Sequence, residues 1–334
     1  LGTLGDLAAT DTAAREVAAM ETKRRRAAAG TAPRGELRVA AVQMRFAGTI
    51  AGNLATIDRL VGAAAAGGAD AVLLPECATT GYSYDFSSLT PADVRDALAA
   101  VAASAARHRV NLLVGSPVFR GRQLCNGLVV FDRAGVATSC YAKCQLTDLD
   151  RRCFAPGDAV ALFTIDGVPA TAIICHERRY PELPRLAVMA GARVIFHPNA
   201  GLDPLAVSRR KRGGHDGIVA RAFENAAYYV FANSVGPQGG GLWSAGDSKI
   251  VAPDERVLAL ADNAHEAIIA ARLDLAAATG SYAARGLVAP PFLAPHWKRM
   301  IAAVRKRAAT AWREFDLPAP PAAPHRRGPR SQRG

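Results

Sequence analysis

At 334 residues, half of them apolar and 6% aromatic, the chain is long enough to bury one large core or two small ones. Its net charge of +12 belongs mostly to the tails: eleven Lys/Arg stand against two acids from Ala276 onward, and residues 35–275 are nearly neutral, so no nucleic-acid partner is expected. No apolar run reaches the roughly 18 residues of a membrane span, and six cysteines without paired spacing fit a reducing, cytoplasmic setting better than a disulfide framework.

Residues 1–34, Ala-rich and ending in a basic run, read as a poorly ordered extension without an apolar signal core; a start at Leu1 is compatible with a fragment. The main domain is expected over 35–275. Leu37–Met44 reads as its first core strand. A helix follows over Asn53–Gly67, with Asn53 as N-cap. Ala69–Pro75 is a strand running straight into Glu76, and Pro91 opens a helix to about His108. Strands are expected at Val110–Val118, Leu128–Asp132 and Val136–Lys143, then a polar loop over Gln145–Asp158. Ala159–Ile165 and Ala170–Cys175 flank an Asp166-Gly167 turn, a hairpin signal. Next come a helix at Pro184–Ala190, a strand at Arg193–His197, a helix at Gly217–Asn225 and a strand at Tyr228–Asn233. Val235–Gly246 reads as a glycine-rich loop. Ser248–Ala252, Val257–Leu260 and Ala267–Leu273 read as strands. Residues 276–317 form a C-terminal arm with a basic helix over Pro295–Phe315, and 318–334 a disordered Pro/Arg-rich tail. The alternation means an α/β domain with a mixed sheet or sheets.

Three chemical groups fall at the ends of apolar strands: Glu76 after Leu73-Leu74-Pro75, Lys143 after Tyr141-Ala142, and Cys175 after Thr171-Ala-Ile-Ile. A thiol attacking an amide needs a base that returns a proton to the leaving amine. It also needs a cationic or N–H-rich site for the oxyanion. Cys175 alone reads equally well as an inert core cysteine, and a strand-end Glu or Lys alone reads as solvated. Three complementary groups that one sheet rim could bring together read as a site.

The blocks carrying these residues resemble the nitrilase superfamily of carbon–nitrogen hydrolases, from about Leu37 to Leu273. Leu74-Pro75-Glu76 with Gly81-Tyr82 is similar to the block of the family's catalytic glutamate, and Tyr141-Ala-Lys143 with Phe154-Ala-Pro-Gly157 to its lysine block. Cys175-His-Glu-Arg-Arg-Tyr-Pro-Glu182 is similar to the nucleophile block, with Asn199 after the next strand. Arg221-Ala-Phe-Glu-Asn225 and Gly246-Asp-Ser248-Lys-Ile250 resemble two further, more structural blocks. The resemblance implies a four-layer α-β-β-α sandwich, a Glu–Lys–Cys triad, a thioester intermediate and no metal or organic cofactor. Glu76 would be base and acid. Lys143 and the backbone N–H of His176 would hold the oxyanion, and Lys143 would favour the Cys175 thiolate. Arg178, Asn199 and Tyr82 would bind substrate, with Arg179 structural, paired to Glu182 or Glu224.

One departure stands out. Where the family carries a second glutamate before Phe-x-Pro-Gly, this chain has Asp150, one C–C bond shorter. Asp150 is expected within reach of Lys143; the alternative is a surface pair with Arg151 or Arg152. His176, where nitrile-cleaving members carry Trp, argues against a nitrile. The expected activity is hydrolysis of a small linear amide or N-carbamoyl compound by a homodimer or larger homo-oligomer. The alternatives are an acyltransferase using the same thioester or a catalytically impaired binding protein. Cys140, Cys144 and Cys153 lack zinc spacing, Gly236–Gly241 lacks the ending of a phosphate loop, and His197 and His215 read as hydrogen-bonded structural residues beside the pocket.

Overall fold

The computed structural model describes residues 35–83, 85–210 and 217–321. In chain order the elements begin with β1 (Glu36–Gln43), α1 (Ile50–Ala66), β2 (Ala71–Leu73) and α2 (Pro91–His108). β3 (Asn111–Arg120), β4 (Gln123–Phe131) and β5 (Ala137–Ala142) form a meander. β6 (Phe163–Ile165), β7 (Val168–Ala172), α3 (Glu182–Met189) and β8 (Val194–Asn199) follow. Then come β9 (Asp203–Pro204), α4 (Leu205–Ser208), α5 (Ile218–Asn225), β10 (Tyr228–Asn233), β11 (Val235–Gly239) and β12 (Leu242–Ala245). β13 (Lys249–Val251), β14 (Val257–Leu260), β15 (Ala267–Asp274), α6 (Ser281–Arg285) and α7 (Ala294–Ala311) complete the chain.

The strands assemble into two six-stranded sheets, ordered β15-β1-β2-β3-β4-β5 and β14-β13-β10-β8-β7-β6. In each, three central strands run parallel, β1-β2-β3 in one and β7-β8-β10 in the other. Strand periodicity builds the layers. Leu37, Val39 and Ala41 of β1 face Val194, Phe196 and Val230 of the second sheet across one apolar layer. The alternate residues Ala40 and Val42 turn outward onto Ile57 and Val61 of α1 and Leu98 and Val101 of α2. On the other outer face, Ile195, Tyr229 and Phe231 meet Leu186 of α3, Ile218 of α5 and Ile301 of α7. The result is the expected α-β-β-α sandwich.

The differences from expectation are local. α1 begins three residues before Asn53, because Thr49 caps it by accepting from the Gly52 amide. Asn53 is instead buried one turn inside, accepting from the Ala47 amide at 2.7 Å. Residues 235–246 are not a loop: β11 and β12 pair antiparallel and join β9 in a small third sheet. Positive-φ glycines 239–241 make the turn, so the glycines that suggested a loop are the hairpin's tip. After Leu275 the chain crosses from one outer layer to the other. Leu287 and Ile301 pack on the second sheet's helices, and Trp312, Phe315 and Leu317 pack against the first sheet's outer core. Pro318–Pro321 are described; the remaining tail and residues 1–34 lie outside the described residues.

Candidate active site

The site lies where β2, β5, β7 and β8 end. Two glycines bring the backbone close enough to fix the strand ends. A Cβ on Gly115 of β3 would lie 2.6 Å from the Glu76 Cα, and one on Gly157 would lie 2.1 Å from the Ala142 carbonyl oxygen. Either contact would force the rim apart. Gly157 also donates to the Lys143 carbonyl at 2.8 Å.

Lys143 has no solvent exposure and bridges two equally enclosed carboxylates, with Nζ 2.9 Å from Glu76 Oε1 and 2.8 Å from Asp150 Oδ2. The remaining lone pairs are satisfied. Asn126 Nδ2 donates to Glu76 Oε1 at 2.8 Å, and the Ala200 amide to Oε2 at 3.0 Å. Asp150 accepts from the Thr147 amide and hydroxyl, each at 2.9 Å, and from the Tyr82 hydroxyl. Burial alone would lower the Lys143 ammonium, but Glu76, Cys175 and Asp150 together hold it well above the ordinary lysine range. Burial would likewise raise the Asp150 carboxyl, yet Lys143, Tyr82 and Thr147 bring it below its ordinary value. Asp150 is therefore not a surface partner of Arg151 or Arg152.

β7 stops at Ala172, and Cys175 opens a short 3-10 turn, Cys175–Arg179, rather than ending the strand itself. Its φ of +51° lies in the left-handed region, which costs a non-glycine residue roughly 1–2 kcal/mol. Three contacts from different elements hold the turn. His197 Nε2 lies 3.0 Å from the Cys175 carbonyl oxygen. Arg221 Nε donates to the Arg178 carbonyl at 3.2 Å. The buried Glu177 carboxylate accepts from the Ile174 and Cys144 amides at 2.7 Å, the Gln145 amide at 3.0 Å and the Tyr141 hydroxyl at 2.8 Å. Glu177 thus ties the Cys175 turn to the segment that carries Lys143. Its role was not anticipated from sequence, where nothing local links it to Tyr141 or Cys144.

The thiol is not pre-ionised. Burial and the nearby Glu76 carboxylate push Cys175 up to about 12 against the opposing charges of Lys143 and Arg178. Lys143 does favour the thiolate, as expected, but burial and then Glu76 outweigh it. Burial, with Lys143, Arg179 and Arg178 nearby, holds the His176 imidazole below the ordinary histidine value.

The other expected residues divide. Tyr82 is buried with its hydroxyl on Asp150. Asn199 ends β8 at the rim, donating to Asn233 Oδ1 at 2.8 Å, while its own Oδ1 is buried without a partner. Arg178 is half-buried and close enough for its charge to act on the thiol. Arg179 is exposed, and the Glu224 carboxylate expected to pair with it is taken by Arg221 at 2.9 Å. His215 lies outside the described residues. Among the described residues no three His, Cys, Asp or Glu side chains converge as a metal site, and no helix is long and apolar enough to cross a membrane.

Residues 38–282 match the carbon-nitrogen hydrolase family, and the chain belongs to it. Its relatives include proteins named amidase, omega-amidase and nitrilase. A protein called hydrolase in pqqF 5′ region, from Pseudomonas protegens, is 32% identical over 231 residues, 67% of this chain and 78% of that protein. The 2-oxoglutaramate amidase of Bacillus subtilis is 30% identical over 211 residues, 62% of this chain and 79% of that protein. Among solved structures, a mutant of the amidase from Nesterenkonia sp. AN1 shows covalent addition of the acetamide moiety of fluoroacetamide at the active site cysteine. It matches with a TM-score of 0.68 at 25% identity, covering 80% of this chain and 100% of that one. The present chain is a carbon–nitrogen hydrolase with their fold.

Proposed function

We propose that this protein hydrolyses a small linear amide or N-carbamoyl compound through a thioester on Cys175. The observation that carries the reading is a buried ammonium held between two carboxylates, 2.9 and 2.8 Å away, beside a thiol on which both the ammonium and Glu76 act. Three enclosed charges are a poor way to gain stability, since hydrophobic replacement is often neutral or better. They are a good way to move one proton and hold one oxyanion.

The charges set the sequence of events. Asp150 balances Lys143, leaving Glu76 as the carboxylate that accepts the thiol proton while sulfur bonds to the substrate carbonyl. The carbonyl π pair becomes an oxyanion between Lys143 Nζ and the His176 backbone N–H. When it collapses, the C–N bond breaks, Glu76 returns its proton to the leaving nitrogen, and a thioester remains. Water then attacks with its proton passing to Glu76, the C–S bond breaks, and the thiolate recovers that proton. Because the resting thiol is neutral, proton transfer accompanies attack rather than preceding it.

Arg178 supports a substrate that carries a carboxylate, which a guanidinium binds bidentately. All six cysteines are free, which supports a reducing, cytoplasmic setting. Phe292, 72% exposed, and its exposed neighbours Leu293 and Met300 support a homodimer; a monomer by light scattering at micromolar concentration would remove that part. The activity is tested by measuring ammonia release from amides, N-carbamoyl amino acids and nitriles, with Cys175→Ala as control. Release from the first two classes, absent in the variant, is expected. Equal release by the variant would overturn the mechanism.

A further inference from the structure

We propose that His197 is a positioning residue for the oxyanion site, acting through the peptide bond between Cys175 and His176. The inference rests on the reading above, in which the His176 N–H is an oxyanion donor.

His197 has no solvent exposure and lies on β8 between Phe196, which faces the layer between the sheets, and Pro198. By strand alternation its side chain lies on the helix-covered face, with Ile195, Tyr229 and Phe231. Its ring sits 4.8 Å from the Phe231 ring and 5.6 Å from the Tyr229 ring. Nε2 is 3.0 Å from the Cys175 carbonyl oxygen, and Nδ1 is 2.9 Å from the Tyr229 hydroxyl.

The partners assign the protons. A carbonyl oxygen only accepts, so Nε2 carries the hydrogen and donates to Cys175. In the neutral ring Nδ1 is then the acceptor, and the Tyr229 hydroxyl donates to it. Tyr229 thereby selects the tautomer that His197 needs.

The Cys175 carbonyl and the His176 N–H belong to one peptide unit. In a planar trans peptide they point in opposite directions. Holding the carbonyl against the helix-covered face turns the N–H away from it, toward the layer between the sheets. That is the side from which β5 delivers Lys143, two residues beyond the inward-facing Tyr141. Cys175 adopts φ +51°, a conformation a non-glycine residue keeps only where its surroundings hold it. His197 is one of the groups that holds it. A hydrogen bond to a carbonyl also polarises the N–H of the same peptide, so the links from Tyr229 through His197 to the oxyanion reinforce one another.

A merely structural histidine and this device differ in what they change. The oxyanion exists only along the acylation and deacylation steps, so losing its donor should lower kcat and leave KM alone. Alkylation of Cys175 by iodoacetamide forms an S–C bond, expels iodide, passes the thiol proton to base and makes no oxyanion. It should not respond to the peptide's aim. The test uses the full chain with His197→Leu, His197→Gln and Tyr229→Phe. It measures kcat and KM for an amide that the wild type turns over, and the iodoacetamide rate at Cys175 followed on its peptide by mass spectrometry. His197→Leu is expected to lose at least about tenfold in kcat, with KM and alkylation within about twofold. His197→Gln, whose amide can donate to the same carbonyl, should recover part of the loss. If His197→Leu does not fold, Tyr229→Phe carries the test, with about a threefold loss in kcat and unchanged alkylation expected. Unchanged kcat in the folded variants overturns the proposal. So does an equal fall in kcat and alkylation, which would make His197 a support for the thiol alone. Failure of the underlying reading looks different: Cys175→Ala would then retain turnover whatever His197 does.

Discussion

Three strands, β2, β5 and β7, carry a charged or reactive group at both ends. At their C-terminal ends stand Glu76, Lys143 and Cys175. Just before them stand Asp70, Arg133 and Asp166. The second set is also a cation between two carboxylates: Arg133 Nη2 lies 2.6 Å from Asp70 Oδ1 and 2.6 Å from Asp166 Oδ2. The two clusters thus clip the same strands at opposite rims and differ in depth. The Arg133 guanidinium is 37% exposed and its partners 17% and 22%, whereas Lys143, Glu76 and Asp150 are at 0%. Water screens the Arg133 set, and it acts as a clip between turns of the two sheets. The Lys143 set is fully desolvated, so each charge acts strongly on its neighbours. Similar charges give a staple at one rim and the proposed reaction centre at the other.

The largest effect should come from breaking the deep rim. Cys175→Ala is expected to lower turnover at least about a thousandfold, because the covalent route is lost, while thermal unfolding stays close to wild type. Lys143→Ala should be equally inactive but unstable as well, by about 3–5 kcal/mol, since it strands two buried carboxylates. Calorimetry on the pair separates chemistry from scaffolding; equal stability of the two variants would contradict the account of Lys143.

Next in size is the thiol's reluctance to ionise. A free thiol titrates near 8.5, whereas burial and then Glu76 push Cys175 up to about 12. At neutral pH its thiolate fraction, and its alkylation rate, should be lower than a free thiol's by more than about a hundredfold. The rate should still climb above pH 10, where the free thiol has levelled off. A plateau near pH 9 would mean that Lys143 wins after all.

Asp150→Asn keeps the shape and removes one charge from the deep cluster. We expect kcat to fall at least about tenfold, roughly 1.4 kcal/mol of barrier. Stability supplies a second readout. The folded carboxyl is held below its ordinary 3.8, so its contribution is present above the unfolded value and is lost as pH falls through the folded one. The stability gap between wild type and variant should therefore be full at neutral pH and close only below about pH 4. An unchanged kcat would make Asp150 a structural ion-pair partner, like those at the shallow rim.

The three groups proposed for the deep rim stood out in sequence because each follows an apolar run in a block that resembles the family's, and Asp150 only through that resemblance, by its place before Phe154-Ala-Pro-Gly157. What was not legible is how these pieces are held. Glu177 reads as one more charge in Cys175-His-Glu-Arg-Arg until the fold brings Cys144 and Tyr141 to it. The positive φ of Cys175 leaves no mark on a residue that is not glycine. The small third sheet was hidden because its turn glycines outweigh two short strands in any local reading. The shallow cluster was invisible for a plainer reason: Asp70, Arg133 and Asp166 stand tens of residues apart, and nothing local marks an ion pair between turns.

The smallest expected effect on rate is also the one that separates the rims. Arg133→Ala removes a cation that touches Asp70, Asp166 and, through Nη1 at 3.0 Å, the Arg109 carbonyl. Its partners are not stranded. Asp166 still accepts from Asn111 Nδ2 at 2.9 Å, and Asp70 from the Arg38 amide at 2.9 Å. Both are partly exposed, so water can take the guanidinium's place. The expected cost is therefore about 1 kcal/mol, in the range of exposed pairs, and it should shrink further in high salt. The strands themselves are held by the apolar layer between the sheets, where Leu73, Tyr141 and Ala172 are buried, and not by the clip. Their far ends should keep the deep rim's geometry, and kcat should stay within about twofold of wild type. A tenfold loss in kcat at unchanged stability would show instead that charge at one rim is felt at the other, and the two clusters would then have to be treated as one system.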